Sequence, residues 1–211
     1  MFTGLIKETG IVEGINPIES GVELIIQISP QLAAEIQVHS HIAIDGRVLT
    51  VLHREDNTDF SLLKFYASHL NKIGNLLPKK RVNLERAVRL GEEIPGTFFY
   101  GVPSGQAKVI YLEKLSGGRL TFKVSFEDDL ASYLSIKDQV CLDGVSLQIR
   151  DIKDRVLSFE LYPTTLNVTT LGERQVGDLL TIEIDPFMVK IARVFQKNQL
   201  LNIVKTQNNL Q

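Results

Sequence analysis

Ser146 and Gln148 stand in the segment VCLDGVSLQI, residues 140–149, and supply a hydroxyl and a carboxamide able to hydrogen-bond a bound molecule. Ninety-eight positions earlier the chain carries nearly the same text, IAIDGRVLTV, residues 42–51. The copies disagree where chemistry would be done: Arg47 against Val145, Val48 against Ser146, Thr50 against Gln148. Valine has no proton to exchange and no lone pair to donate, so the two copies cannot act alike. Asp45 and Asp143 precede Gly46 and Gly144 and read as turn formers rather than catalytic acids. His41 reads as a partly exposed strand residue. His53 and His69 lack the neighbouring carboxylates or cysteines of a metal site, and none is expected. Arg47 reads either as an anchor for a phosphate or as part of a solvated barrel rim.

The elements that position these residues follow from the repeat. At the same offset Ile73-Gly74 falls on Leu171-Gly172, and VNLE (82–85) falls on LTIE (180–183). With one residue of slippage MFTG aligns with FFYG, placing Phe2 on Phe99, Gly4 on Gly101 and Val12 on Val109. A period near 100 indicates duplicated domains, since solenoid repeats recur at about 20 to 50 residues. The expected units are an N-terminal barrel over 1–96, a C-terminal barrel over 97–187, and a helix and tail over 188–211. Segments such as VELIIQIS, DFSLLKFY, GRLTFKVSF and RVLSFELY alternate or run apolar at strand length, with Gly117-Gly118 as a hairpin turn. About six short strands per copy point to small barrels, because closure removes exposed edges. Helical turns are expected at 29–36 and 127–135, capped by Ser29 and by Glu127-Asp128. From Asp185 the chain reads as an amphipathic helix with an N-cap, a first-turn proline, and Met188, Ile191, Ala192 and Phe195 on one face. That stripe needs a surface, either its own second barrel or the same stripe of other subunits.

Lys+Arg 23 against Asp+Glu 25 gives no net basic field for nucleic acid or an anionic membrane. The single cysteine, Cys141, rules out an internal disulfide framework and reads as a small core hydrophobe. The opening MFTGLIKETG lacks the basic cap and apolar run of a signal peptide, and no stretch approaches a membrane span. The expectation is a cytoplasmic, non-membrane protein.

MFTGLI, AIDG followed by LTV, VNLERA, LDGVSL, PTTLNVTTLG and IEIDP occur in order along nearly the whole chain. This series resembles the riboflavin synthase family, including its lumazine-binding relatives. The resemblance implies an all-β fold: two tandem six-stranded barrels of riboflavin-synthase type plus a C-terminal α-helix that assembles a homotrimer. Each barrel would hold one lumazine or flavin. The family reaction passes a four-carbon unit between two molecules of 6,7-dimethyl-8-ribityllumazine, yielding riboflavin with no metal or separate cofactor. The ligand here would be that lumazine, riboflavin or FMN.

The same resemblance locates the departures. Val48 stands at a family cysteine, His41 at a serine, Val102 and Thr97 at two histidines, Lys64 and Tyr66 at small or acidic groups, and Ala67 at a ligand-contacting threonine. The second copy keeps more, with Ser146, Thr165 and Asp185 as in the family and Gln148 in place of a threonine. Small hydroxyls and backbone amides suit the alternating donors and acceptors of a pteridinedione edge, and Tyr162 could stack on the ring or fill the barrel mouth. The expected ligand set is therefore Gly144, Ser146, Gln148, Tyr162, Thr165 and Asp185, with Thr50 as the first copy's counterpart. No catalytic set is assigned, because removing a general acid or base typically costs about a hundred- to ten-thousand-fold in rate. The reading is a lumazine- or flavin-binding protein with lost or reduced catalysis. Its alternatives are an active synthase using His41, Ser146 or ordered water, and a structural trimer without ligand. Lumazine proteins of the family keep the first site, so this chain shows the opposite bias.

Overall fold

The structure, a computed structural model, describes residues 1–68, 74, 76–92, 94 and 97–195. Six antiparallel strands close the first barrel: β1 (Glu8–Ile18), β2 (Gly21–Ile28), β3 (His41–Ile44), β4 (Arg47–Asp56), β5 (Ser61–Ala67) and β6 (Arg81–Arg86). Their order around the barrel is β1-β2-β5-β4-β3-β6. The second half has β7 (Gly105–Lys114), β8 (Leu120–Phe126), β9 (Gln139–Leu142), β10 (Val145–Gln148), β11 (Asp151–Lys153), β12 (Val156–Leu161) and β13 (Leu179–Ile184). It is a curled seven-stranded sheet of order β10-β9-β13-β7-β8-β12-β11. The expected all-β repeat is borne out, with one difference. The counterpart of β4 is broken into β10 and β11 at Ile149-Arg150, so the two edge strands are consecutive in the chain. There Arg150 N–H donates to Ser158 O at 2.9 Å, carrying the chain across to β12.

Alternation makes the interiors solid. In β2 every second residue, Val22 to Ile28, is buried, and these side chains meet Leu63, Phe65, Val51 and Leu84. At corresponding places Leu24 faces Phe65 across β2 and β5, and Phe122 faces Phe159 across β8 and β12. Each such side chain contributes ~2 kcal/mol or more by leaving water. The interiors of the first barrel and of the second half's curled sheet are therefore packed cores.

The halves are joined by crossed segments. Phe2 and Phe99 form a two-way backbone bridge, N–H to O, at 2.9 and 2.8 Å. Beyond it Ile6, from the first copy, is buried in the second half's core. The two Asp-Gly turns face each other, with φ of +44° at Asp45 and Asp143 and +74° and +81° at Gly46 and Gly144, as a type I′ hairpin requires. A Cβ on Gly144 would lie 2.9 Å from Gly46 N, so this approach needs glycine twice over.

Ser29 caps the short helix α1 (Pro30–Ala34), its Oγ accepting Leu32 N–H at 3.1 Å. The 3₁₀ turn at Asp128–Tyr133 differs from expectation. Glu127 makes no side-chain cap there, and its carbonyl instead accepts Leu130 N–H at 3.2 Å. Asp185 caps the C-terminal helix, residues 186–195 of which are described, by accepting Phe187 N–H at 2.8 Å. Val189 leans on the second core, while Phe187, Met188, Ile191, Val194 and Phe195 are exposed.

Candidate ligand site

β10 pairs with β9 from the Leu142–Val145 turn pair outward, and its other edge is free of β12 until Arg150. In such a hairpin alternate N–H groups point away from the partner strand. For β10 these are Ser146 and Gln148, whose side chains also face outward while Val145 and Leu147 are buried. Ser146 N–H is taken by Gly4 O at 2.9 Å, and the same alternation aims Gln148 N–H into the open seam. The Ser146 hydroxyl donates to Gln139 Oε1 at 3.2 Å, and the Gln148 amide to Lys137 O at 3.3 Å.

Next to β11 in the sheet is β12, which leads into the helix α2 (Pro163–Val168). Tyr162, 47 % exposed, has its hydroxyl 3.3 Å from Arg150 Nη2. It is the N-cap residue of α2 at the end of β12. Thr165 is half-buried and donates its N–H to Tyr162 O at 2.9 Å. Glu160 lies between Arg119 and Arg150, at 2.6 and 2.9 Å. The hydrogen bond from Arg119 holds its carboxyl below the usual range. Ser146 and Gln148 stand on the outer side of β10, and Tyr162 and Thr165 follow β12, which meets the Ile149-Arg150 break through the Arg150 N–H to Ser158 O bond and the Tyr162–Arg150 contact. Gly144 is placed at the turn between the halves. Asp185 lies on the same outer face two strands from Gln148, through Gln139, and spends one oxygen on its helix.

The corresponding place in the first half gathers the departures. Val48 N–H donates to Gly101 O at 2.8 Å, so Val48 lies beside the residue that precedes Val102, whose own side chain is exposed. Thr50 Oγ1 is 3.1 Å from His41 Nδ1. Tyr66 is turned aside, its hydroxyl donating to Ser20 O, and Ala67 is buried. Lys64 lies on β5 opposite His53, Thr97 is half-buried, and His69 lies outside the described residues.

Between the halves is a network that the motifs alone did not indicate. Asp143 is bound by Arg174 at 2.8 Å and by Thr181 N–H at 2.7 Å, and Asp45 accepts Asn83 N–H at 2.8 Å. Burial first, then the charge of Asp143, pushes Asp45 up to about 8. Burial also raises Asp143, against the pull of Arg174, which at 2.8 Å lies closer to Asp143 than to Asp45 and favours the charged form there. Arg47 shares a 30 Å³ recess with Asp45, Asp143 and Arg174, which corrects both the solvated-rim and the phosphate-anchor readings. Cys141 is buried on the outward face of β9, opposite Glu183 and Ser146, and burial raises its thiol well above the usual value.

Two further buried carboxylates are related by the repeat. Glu85 accepts Thr3 N–H and Gly4 N–H at 2.7 and 2.9 Å, and Glu183 accepts Tyr100 N–H and Gly101 N–H at 2.7 and 3.1 Å. Burial pushes Glu183 up to about 7. Each borders a cavity, of about 490 Å³ beside Glu183 and about 550 Å³ beside Glu85. Neither cavity is lined by Ser146, Gln148, Tyr162 or Thr165. The VNLE/LTIE repeat was the available signal for this pair, since both strands carry a carboxylate at the same repeat position, on the face that alternation turns away from the core.

Comparison with known proteins agrees with this layout. The family described as lumazine binding domain matches residues 3–87 and again 102–185. The chain is 32% identical to the riboflavin synthase of Brucella abortus (strain 2308) over 201 residues, 93% of this chain and 98% of that one. It is 34% identical to that of Chlamydia muridarum over 189 residues, covering 88% and 90%, and 28% identical to that of Bacillus subtilis (strain 168) over 216 residues, covering 100% and 95%. Among solved structures, LumP complexed with riboflavin superposes with a TM-score of 0.77 at 22% identity, covering 87% of this chain and 99% of that one. LumP complexed with 6,7-dimethyl-8-(1'-D-ribityl) lumazine superposes at 0.75 and 20%, with the same coverage. These likenesses carry the fold.

Proposed function

Because this chain belongs to the riboflavin synthase family, we propose that it binds a lumazine or flavin ring on the second barrel, with synthase turnover lost or strongly reduced. One observation carries the reading: β10 has a strand partner only in β9, and Ser146 and Gln148 face outward from it; Tyr162 and Thr165 are proposed to close the other side of the ligand. A pteridinedione edge presents alternating carbonyls and ring nitrogens, and desolvating it requires partners for each. The Ser146 hydroxyl, the Gln148 amide and its outward N–H, and Thr165 supply both kinds, while Tyr162 offers a face for the ring. Gly144 serves the set by shaping the turn before Ser146, and Asp185 by fixing the outer edge of the same face. Val48, held by the Gly101 carbonyl, and the neighbouring Val102 each bring hydrocarbon where the family resemblance places a reactive side chain, which supports the loss of proton transfer.

LumP is described bound to 6,7-dimethyl-8-(1'-D-ribityl) lumazine, riboflavin and flavin mononucleotide. The same ligand class is proposed here, without a separate cofactor. The exposed stripe of the C-terminal helix is assigned to assembly of a cytoplasmic homotrimer. Riboflavin fluorescence titration tests the site. Ser146→Leu weakens binding more than Thr50→Leu, and equal effects contradict a second-barrel site.

The reassigned synthase has one observation in its favour, the His41–Thr50 contact beside Val48. Turnover of the lumazine that disappears in His41→Ala would establish that reading instead.

A further inference from the structure

We infer that Glu85, although it belongs to the first barrel, is the positioning residue of the second-barrel site, and that Glu183, on the second barrel, serves the first. The chain of contacts is short. The Glu85 carboxylate grips consecutive N–H groups, Thr3 at 2.7 Å and Gly4 at 2.9 Å, and also accepts the Thr3 hydroxyl at 2.9 Å. The carbonyl of Gly4 then takes the Ser146 N–H at 2.9 Å, and two residues on Ile6 is buried in the second core. Residues 3–6 are thus a strap fastened at one end by Glu85 and at the other by the opposite barrel. The repeat builds the mirror image: Glu183 holds Tyr100 and Gly101, and Gly101 O takes the Val48 N–H at 2.8 Å.

The fit of strap to site is close. A Cβ on Gly4 would lie 2.5 Å from Ser146 Cβ, and Gly4 has φ +73°. A ring resting on Ser146 therefore has the strap as its neighbour, and the strap's height is set by a carboxylate of the other half. Fork-like capture of two adjacent N–H groups requires two acceptor oxygens. Glutamine offers one, so Glu85→Gln leaves a buried N–H unpaired and loosens the strap without removing side-chain volume. The ligand part of this inference rests on the second-barrel reading above, whereas the crossed linkage does not.

The test is amide hydrogen exchange of the full chain, read at Ser146 and Val48, together with riboflavin titration. Glu85→Gln should speed exchange at Ser146 about tenfold or more, the scale of one lost buried hydrogen bond, with Val48 unchanged. Glu183→Gln should do the reverse. Riboflavin affinity should fall about tenfold in Glu85→Gln and stay within about twofold in Glu183→Gln. Gly4→Ala, which leaves Glu85 intact, should reproduce the Ser146 exchange effect. Exchange that rises in the same barrel as the substitution, or equally at all core amides, overturns the inference. A wild-type chain that binds no riboflavin yet shows the crossed exchange refutes the ligand reading and leaves the linkage standing.

Discussion

Replacing Asp45 by asparagine is expected to flatten the loss of stability as pH rises from mildly acidic values to about 8. Asp45 and Asp143 are buried on opposite sides of the contact between the two halves, and Arg174 Nη2 is 3.8 Å from one and 2.8 Å from the other. Asp143 has the closer cation and the Thr181 donors, so it holds the charge and Asp45 is protonated until about pH 8. A carboxyl raised on folding stabilises the fold fully below its unfolded value near 3.8 and loses that contribution as pH climbs through about 8. At ~1.4 kcal/mol per pH unit the whole span corresponds to at most ~6 kcal/mol. About 2 kcal/mol or more should be measurable. Asparagine keeps the acceptor for Asn83 N–H, tolerates the positive φ, and has no proton to lose. Urea unfolding at pH 5.5, 7 and 9 compares the two proteins. The wild type should weaken across this range by about 2 kcal/mol more than Asp45→Asn, the variant being relatively favoured at pH 9. Parallel profiles would refute the assignment of the proton to Asp45.

Gly144→Ala should destabilise the chain by about 2 kcal/mol or more, since it adds strain at positive φ to a contact of 2.9 Å with Gly46; an unchanged urea midpoint would contradict the tight turn-to-turn approach. Phe122→Ala, at a fully buried position opposite Phe159, should cost about 3 to 5 kcal/mol by the same assay. Tyr162→Ala should weaken riboflavin binding by about 1 kcal/mol while leaving the melting temperature nearly unchanged, as suits an exposed aromatic face; equal affinity would remove Tyr162 from the site. Ending the chain after Asp185 should give a monomer on size exclusion, and an unaltered elution volume would take assembly away from the helix.

The repeat made most of the architecture legible in the sequence, because alternation and Asp-Gly turns are local signals. The break of the β4 counterpart at Ile149-Arg150 was not legible, since it depends on Arg150 reaching Ser158 across the sheet. The link between Val48 and the residue before Val102 is made by the Gly101 carbonyl, a contact between halves that spacing does not encode. The same limit hid Arg47, which reads as a rim residue until Asp143, 96 positions away, is folded against it. Polar residues in VNLE and LTIE read as solvent-facing under simple alternation. They are buried because the other half and the crossed straps cover that face.

The central claim is that the second-barrel seam holds a ring and the chain does not convert it. Its most direct test is to mix purified full chain with 6,7-dimethyl-8-ribityllumazine, following ligand fluorescence and riboflavin formation together. The expected result is saturable binding at about one ligand per chain, abolished by Ser146→Leu, with no riboflavin formed at synthase rates. Absence of saturable binding, or riboflavin appearing at the rate of an ordinary synthase, would contradict it.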